Sequence, residues 1–228
     1  MRTQAIVVAA GRGRRLKSAL PKALVPLLGK PLVVYSLEVF QKSPLIESVV
    51  LVASKGHLAH FRKIVSRYRL SKVEKIIEGG KHRRDSVSSG LSGLSKDTDT
   101  VLIHDAARPF VTARLIAQCL KNVQTKKAVV AALPVKPTIK MVNARTLAVE
   151  KTLERQRLWE IQTPQVFNRK VICEAHRRIK DENPSDDALL VEKSGRKVFI
   201  VPGDDQNIKI TTREDLAFAK AILFARKK

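Results

Sequence analysis

Residues 5–22 read AIVVAAGRGRRLKSALPK. Ala5 to Ala10 is an apolar run rich in β-branched side chains, and it halts at Gly11-Arg12-Gly13, as a buried parallel strand does when it opens into a loop. That loop is strongly cationic: Arg12, Arg14, Arg15, Lys17 and Lys22 follow one another closely, and the first acid in the chain is Glu38. Glycines at 11 and 13 permit φ > 0 and let bare N–H groups approach a ligand, so neutral donors and positive charge converge. A polyphosphate suits such a loop; a solvated basic turn is the alternative that the loop alone leaves open.

Two familiar phosphate motifs fail here. A Rossmann fingerprint needs a glycine where Leu16 stands, and a P-loop needs a Gly-Lys-Ser/Thr that is absent. What remains is Gly11-x-Gly13-x-Arg15-Leu16 followed by Pro21-Lys22, in which Pro21 disfavours helix at Leu20 and stiffens the approach to Lys22.

Downstream, Gly29-Lys30-Pro31 starts a helix running to about Gln41. Ile46–Ala53 reads as a strand, 55–69 as a helix and Val73–Ile77 as a strand. This β-α-β-α-β alternation predicts an α/β fold: a mostly parallel twisted sheet with helices on both faces and ligands at the carboxyl ends of the strands. Gly79-Gly80 then opens a run, GGKHRRDS, into a helix carrying Val87 and Leu91, a place where backbone groups can line the edge of a base. The next strand, Thr98–Ile103, delivers His104-Asp105-Ala106-Ala107-Arg108-Pro109 at its tip. An acid there, opposite the cationic loop, can hold Mg²⁺ or another divalent cation, or a substrate hydroxyl; an Asp105–Arg108 turn pair is the bland reading. His82 and His104 lack partners at ligand spacing and read as hydrogen-bonded loop residues.

A helix over 112–124 and a strand over Ala128–Pro134 continue the pattern, which breaks at Val135. Two short alternating segments, Thr138–Val142 and Thr146–Glu150, separated by Asn143-Ala144-Arg145, read as a hairpin inserted over residues 135–158. Two strands alone are marginal in water, so this arm is expected to pack on a second subunit. Gln162–Phe167 returns to the core, and helices over about 170–180 and 186–194 and a strand over Val198–Val201 follow. A tight loop bearing Lys209 precedes a terminal helix capped by Thr211 or Thr212, with Glu214 and Asp215 in its first turn.

Composition narrows the classes. The chain has 228 residues, enough for one domain with an appendage, and 44% of them are hydrophobic, as in a globular protein. Net charge is +23, which raises nucleic acid as a partner. The excess spreads over helix faces, as in Arg62, Lys63, Arg67 and Arg69, and no aromatics interleave with it, which argues against base stacking. Cys119 and Cys173 stand far apart without a C-x-x-C and read as core thiols. No apolar run approaches the ~20 residues of a membrane span, and a cytoplasmic location is expected.

The blocks AAGRGRRL…PK (Ala9–Lys22), GG…R..SV (Gly79–Val87), HDAARP (His104–Pro109), R..LW..QTPQ.F (Arg155–Phe167), DDA..VE (Asp186–Glu192) and NIKIT (Asn207–Thr211) stand in order along nearly the whole chain. Together they resemble the 2-C-methyl-D-erythritol 4-phosphate cytidylyltransferases of the non-mevalonate isoprenoid pathway. The resemblance implies a GT-A-like nucleotidyltransferase fold with a β-arm that forms a homodimer, and a Mg²⁺-dependent reaction of CTP with 2-C-methyl-D-erythritol 4-phosphate. By the same resemblance Arg15 and Lys22 stabilise the transition state, and Arg155 and Lys209 position the sugar phosphate. It also implies that Gly80 and Ser86 recognise cytosine and that Ala9, Ala10, Gly11 and Gly13 cradle the triphosphate. Asp105, Ala106, Arg108, Thr138 and Thr163 would surround the sugar phosphate or metal, with Asp105 the metal ligand and Thr138 and Arg155 reaching the neighbouring subunit's site. Cytidylyl transfer to another polyol phosphate, such as ribitol 5-phosphate, is the close rival; Ala9-Ala10-Gly11 and Ala106-Ala107 favour methylerythritol phosphate. A non-catalytic nucleotide- or RNA-binding protein on the same fold is the competing class.

Overall fold

Side chains alternate faces along a strand, and this period explains how the chain builds its layers. In β1 (Thr3–Ala9), Ala5, Val7 and Ala9 enter one core cluster while Ile6 enters another, so both faces of the strand are covered. The computed structural model describes residues 1–11, 13–16, 20–179 and 184–226. Arg12, Lys17 and the Arg14 side chain of the cationic loop, and Lys180 at the expected helix end, lie outside the described residues.

After β1 come a small hairpin of β2 (Pro26–Leu27) and β3 (Lys30–Pro31), then α1 (Leu32–Lys42), β4 (Ser48–Ala53), α2 (Leu58–Arg67), β5 (Val73–Glu78), α3 (Arg83–Ser92) and β6 (Thr100–Asp105). Next follow α4 (Ala113–Lys126), β7 (Ala128–Pro134), an arm of β8 (Lys140–Val142) and β9 (Val149–Thr152), β10 (Trp159–Asn168), α5 (Arg169–Arg178), α6 (Asp187–Lys193), β11 (Phe199–Pro202) and α7 (Arg213–Ala225). The main sheet has seven strands in the order β11-β7-β10-β6-β1-β4-β5. All neighbours are parallel except β10, which runs antiparallel between β6 and β7.

Residues of α1 and α4, with Phe61 of α2, share the cluster on one face; residues of α3, α5 and α6 share the cluster on the other. A third cluster gathers Leu16, Val25, Leu27, Leu32, Phe110, Ile210 and Ala219, with Ile208, Leu216, Ile222 and Leu223 against it. It joins the end of the cationic loop to the Lys209 loop and α7. Fully burying one isoleucine such as Ile210 is worth about 1.5–3 kcal/mol, so the loop on either side of Lys209 is anchored through its apolar neighbours.

The parallel α/β expectation holds, with differences at several element ends, two of which have a clear local cause. The strand expected to end at Ile103 continues through Asp105, because His104 and Asp105 pair in register with Val7 and Val8 of β1. In the arm, the second strand starts at Val149 rather than Thr146. The Asn143 side chain accepts from the N–H groups of Arg145 and Thr146, and Leu147 takes φ 57°, so the turn consumes the residues that alternation assigned to the strand. Thr212 caps α7 and forms a reciprocal capping box with Asp215.

Candidate active site

The chain turns sharply after β1. Lys22 donates its N–H to the Gly11 carbonyl (3.2 Å), closing the cationic loop on its own starting point and setting Lys22 beside Gly13. Gly13 has φ 66°, and a Cβ there would meet the Lys22 Cβ at 2.9 Å, so glycine is required by both backbone and packing. At the end of β5, Gly79 packs so tightly that a Cβ would stand 2.5 Å from the Ala10 Cβ and 2.7 Å from Ser86 Oγ. The two glycine segments thereby form adjoining walls.

Between them, at the carboxyl ends of β1, β4, β5 and β6, opens a cleft of about 1220 Å³. Ala9, Ala10, Gly11, Gly13, Lys22, Gly80, Ser86, Asp105 and Lys209, all singled out from the sequence, line it. A smaller cavity of about 220 Å³ adjoins it through Arg83, Asp105 and Lys209, and Arg108 and Thr163 line this second space. Ala106 lies beneath the wall in the core, and its neighbour Ala107 faces the cleft instead. Arg15 is exposed and outside the lining, though its charge reaches Lys22. Thr138 and Arg155 are exposed on the arm, away from both cavities of their own chain; Arg155 donates to the Lys136 carbonyl at 3.1 Å.

Asp105 is the electrostatic hinge of the site. Its Oδ2 lies 2.7 Å from Lys209 Nζ and its Oδ1 accepts from Arg83 Nε at 3.2 Å. Burial alone would raise its pKa, but Arg83 and Lys209 outweigh burial and hold the carboxyl well below the usual carboxylate range. Lys22 behaves oppositely: burial, then the nearby Lys209 and Arg15 charges, lower its ammonium to about 8 against the partial support of Asp105. The Asp105–Arg108 turn of the bland reading is present in the backbone, where the Arg108 N–H donates to the Asp105 carbonyl at 2.9 Å, but the Arg108 side chain is held elsewhere. Its guanidinium donates to the carbonyls of Asn207 (2.7 Å) and Ile161 (3.2 Å), tying the Lys209 loop to β10.

Two groups in this site went unassigned in the sequence. Arg83 bridges Asp105 and the buried Asp187, reaching the latter at 2.6 Å, and the paired attraction outweighs burial and raises its pKa. Next to it, Arg84 donates to the His176 and Ile179 carbonyls at the end of α5, so the start of α3 grips both helices of the α5–α6 pair. The Arg-Arg pair at a helix start is the signal that was available. The second group, His104, is fully buried within β6 rather than in a loop, and burial lowers its pKa to about 4.

Among the described residues no cluster of three or more His, Cys, Asp and Glu side chains gathers as a metal cage. Asp105 nonetheless fits a Mg²⁺ ion. It stays ionised, lines both cavities, and keeps a second lone pair on each oxygen beyond those used by Arg83 and Lys209. A lone carboxylate with phosphates and water as the other ligands is the common Mg²⁺ arrangement.

Comparison with known proteins agrees with this geometry. The sequence profile of the family described as 2-C-methyl-D-erythritol 4-phosphate cytidylyltransferase matches residues 3–225. Proteins of that name from Geobacillus kaustophilus (strain HTA426) and Alkaliphilus metalliredigens (strain QYMF) are each 42% identical, over 99% of this chain and 99% of the first, and 97% of this chain and 93% of the second. Among solved structures, the 4-diphosphocytidyl-2C-methyl-D-erythritol synthase of Anaerococcus prevotii DSM 20548 superposes with a TM-score of 0.86 at 30% identity, covering 97% of this chain and 96% of that one. The 2-C-methyl-D-erythritol 4-phosphate cytidylyltransferase of Thermus thermophilus gives 0.76 at 30% identity, covering 97% and 98%. A glycine-walled cleft with lysines on separate segments, and kinship along the full length, place the chain in the 2-C-methyl-D-erythritol 4-phosphate cytidylyltransferase family.

Proposed function

We propose that this chain transfers the cytidylyl group of CTP to 2-C-methyl-D-erythritol 4-phosphate, giving 4-CDP-2-C-methyl-D-erythritol and pyrophosphate. A phosphate oxygen of the sugar phosphate forms a bond to the CTP α-phosphorus as the bond to the β-phosphate bridging oxygen breaks. No covalent enzyme intermediate is needed, so positioning and cationic electrostatics supply the catalysis. The observation that carries the reading is the meeting of Lys22 and Lys209 around Asp105, where the nucleotide-sized cleft joins the smaller cavity.

In this reading Ala9, Ala10, Gly11 and Gly13 offer backbone to the triphosphate, and Gly80 and Ser86 take the cytosine edge. Lys22 and Arg15 neutralise charge developing on the α-phosphoryl oxygens. One cation at ~4 Å is worth about 4 kcal/mol at an effective dielectric near 20, before desolvation. Lys209 and Arg108 face the sugar phosphate across the smaller cavity, with Thr163 and Asp105 beside its hydroxyls. Asp105 would also hold a Mg²⁺ ion, which when bound neutralises part of the triphosphate charge.

The arm completes the site in a homodimer, Thr138 and Arg155 entering the neighbouring subunit's cleft. Supporting this, Met141, Val142, Leu147 and Val149 of the arm expose apolar surface that a two-stranded sheet cannot bury by itself. No helix among the described residues is long and apolar enough to cross a membrane, and the reading places the reaction in the cytoplasm. The test is pyrophosphate release with CTP, Mg²⁺ and either 2-C-methyl-D-erythritol 4-phosphate or ribitol 5-phosphate. Turnover with the first only is expected; preference for the second would reassign the acceptor, and none with either would remove catalysis from the account.

A further inference from the structure

His104 is wholly buried, and both of its ring nitrogens are committed to residues of the candidate site. Nε2 lies 2.9 Å from the Arg108 carbonyl oxygen, and Nδ1 lies 3.0 Å from Thr163 Oγ1. A carbonyl only accepts, so Nε2 carries the ring proton. Thr163 Oγ1 already accepts from the Asp105 N–H at 3.1 Å, and its own proton is then directed to Nδ1. The ring is held edge-on to Phe40, with centroids 5.4 Å apart and planes at 84°, which fixes its orientation.

A buried histidine with satisfied nitrogens is ordinarily a packing residue. Here the partners make the difference. Arg108 returns its N–H to the Asp105 carbonyl at 2.9 Å, so the ring braces the tight turn that carries Asp105. Through Thr163 it also braces the same residue's N–H, and Asn207 seals the far side by donating to the Thr163 carbonyl at 2.8 Å. The Thr163 hydroxyl has one proton, spent on His104, and two lone pairs, one spent on Asp105; a ligand can meet only the remaining lone pair.

We propose that His104 is a positioning residue for the acceptor substrate: it locks the Asp105 turn and turns the Thr163 proton inward, so that Thr163 accepts from, and never donates to, a polyol hydroxyl. The proposal rests on the cytidylyltransferase reading above. It assigns a chemical preference to the smaller cavity, for an acceptor whose hydroxyl donates at Thr163 over one presenting an ether or carbonyl oxygen there.

Two measurements on the full-length chain test it. In protein labelled with ¹⁵N-histidine, long-range ¹H–¹⁵N spectra report the tautomer, the His104 signals being assigned by their loss in His104→Gln. A neutral Nε2–H ring is expected; an Nδ1–H or cationic ring would overturn the proposal without reference to activity. In steady-state kinetics His104→Phe should raise KM for 2-C-methyl-D-erythritol 4-phosphate about tenfold, the loss of one hydrogen-bonded arrangement, and raise KM for CTP by less, since Asp105 also lines the nucleotide cleft. On a Thr163→Val background the same substitution should add clearly less than it does in the wild-type chain, because the Thr163 arm of the bracing is already gone. Equal rises in both KM values, or full additivity, would make His104 a packing residue only. Should His104→Phe not fold, His104→Gln enters the same cycle with the same expectation, while the tautomer of the wild-type ring decides independently. A wild-type chain that releases no pyrophosphate overturns the functional reading itself, whereas an active chain with the wrong tautomer overturns this role alone.

Discussion

Gly13 and Lys22 touch across the mouth of the cationic loop, at a distance where a Cβ on Gly13 would stand 2.9 Å from the Lys22 Cβ. Alanine at 13 must either abandon φ 66° or push Lys22 outward. Gly13→Ala is expected to lower kcat/KM at least about tenfold, since roughly an ångström of displacement can cost 10²-fold, and to cost about 1–2 kcal/mol of stability. Kinetics together with urea unfolding would check both; unchanged kcat/KM would mean the contact has no bearing on the reaction.

Lys22→Ala should lower kcat roughly 10²–10³-fold, as removal of one oxyanion-stabilising donor does. A loss under about threefold would contradict its role.

The lowered Lys22 pKa gives a pH dependence with a definite sign. In the proposed role the ammonium is the working form, and in the free enzyme it loses its proton as pH rises through about 8. The logarithm of kcat/KM should therefore fall above that pH, since kcat/KM reports the free enzyme. Lys22→Arg keeps its charge throughout, and its profile should stay flat there; an alkaline limb identical in both proteins would assign the titration elsewhere.

At the acid end the group that matters is Asp105, whose folded-state pKa lies below its unfolded value. Its contribution to stability is present above the ordinary carboxylate range, near pH 4, and is lost as pH falls below it. Urea unfolding between pH 7 and pH 3 should show wild-type stability falling more steeply below pH 4 than that of Asp105→Asn. Parallel curves would dismiss the pairing with Arg83 and Lys209 as a source of stability.

Composite sites can be tested by mixing inactive subunits. In a homodimer whose cleft takes Arg155 from the partner, Lys22→Ala and Arg155→Ala subunits exchanged at equal amounts leave about a quarter of all clefts intact, by symmetry. Activity should recover toward that fraction. Proven exchange without recovery would restrict each arm to its own chain.

The parts of this molecule that were legible in its sequence are those whose cause is local. The strand from Ala5, the cationic loop and the Gly79-Gly80 corner announce themselves in neighbouring residues, and Ala9, Ala10, Gly11, Gly13, Lys22 and Gly80 from them line the cleft, whereas Arg15 does not. The arm was legible as an insertion but not in its register, because the turn is set by Asn143 side-chain bonds that alternation does not reveal. The antiparallel course of β10 was equally hidden, since direction depends on which strands flank it rather than on its own residues. Arg83 and His104 escaped for the same reason. Asp187 lies 104 positions from Arg83, and Thr163 59 positions from His104, so nothing near either residue indicates its partner.

The third apolar cluster bears on how the protein comes into being. Lys209 is placed by Ile208 and Ile210, and those rest against α7, the last helix of the described chain. A nascent chain that has already wound its glycine-walled cleft still lacks this lysine's seat. The seat of Lys209 beside Asp105 is thus complete only once α7 has docked its apolar face against Ile208 and Ile210.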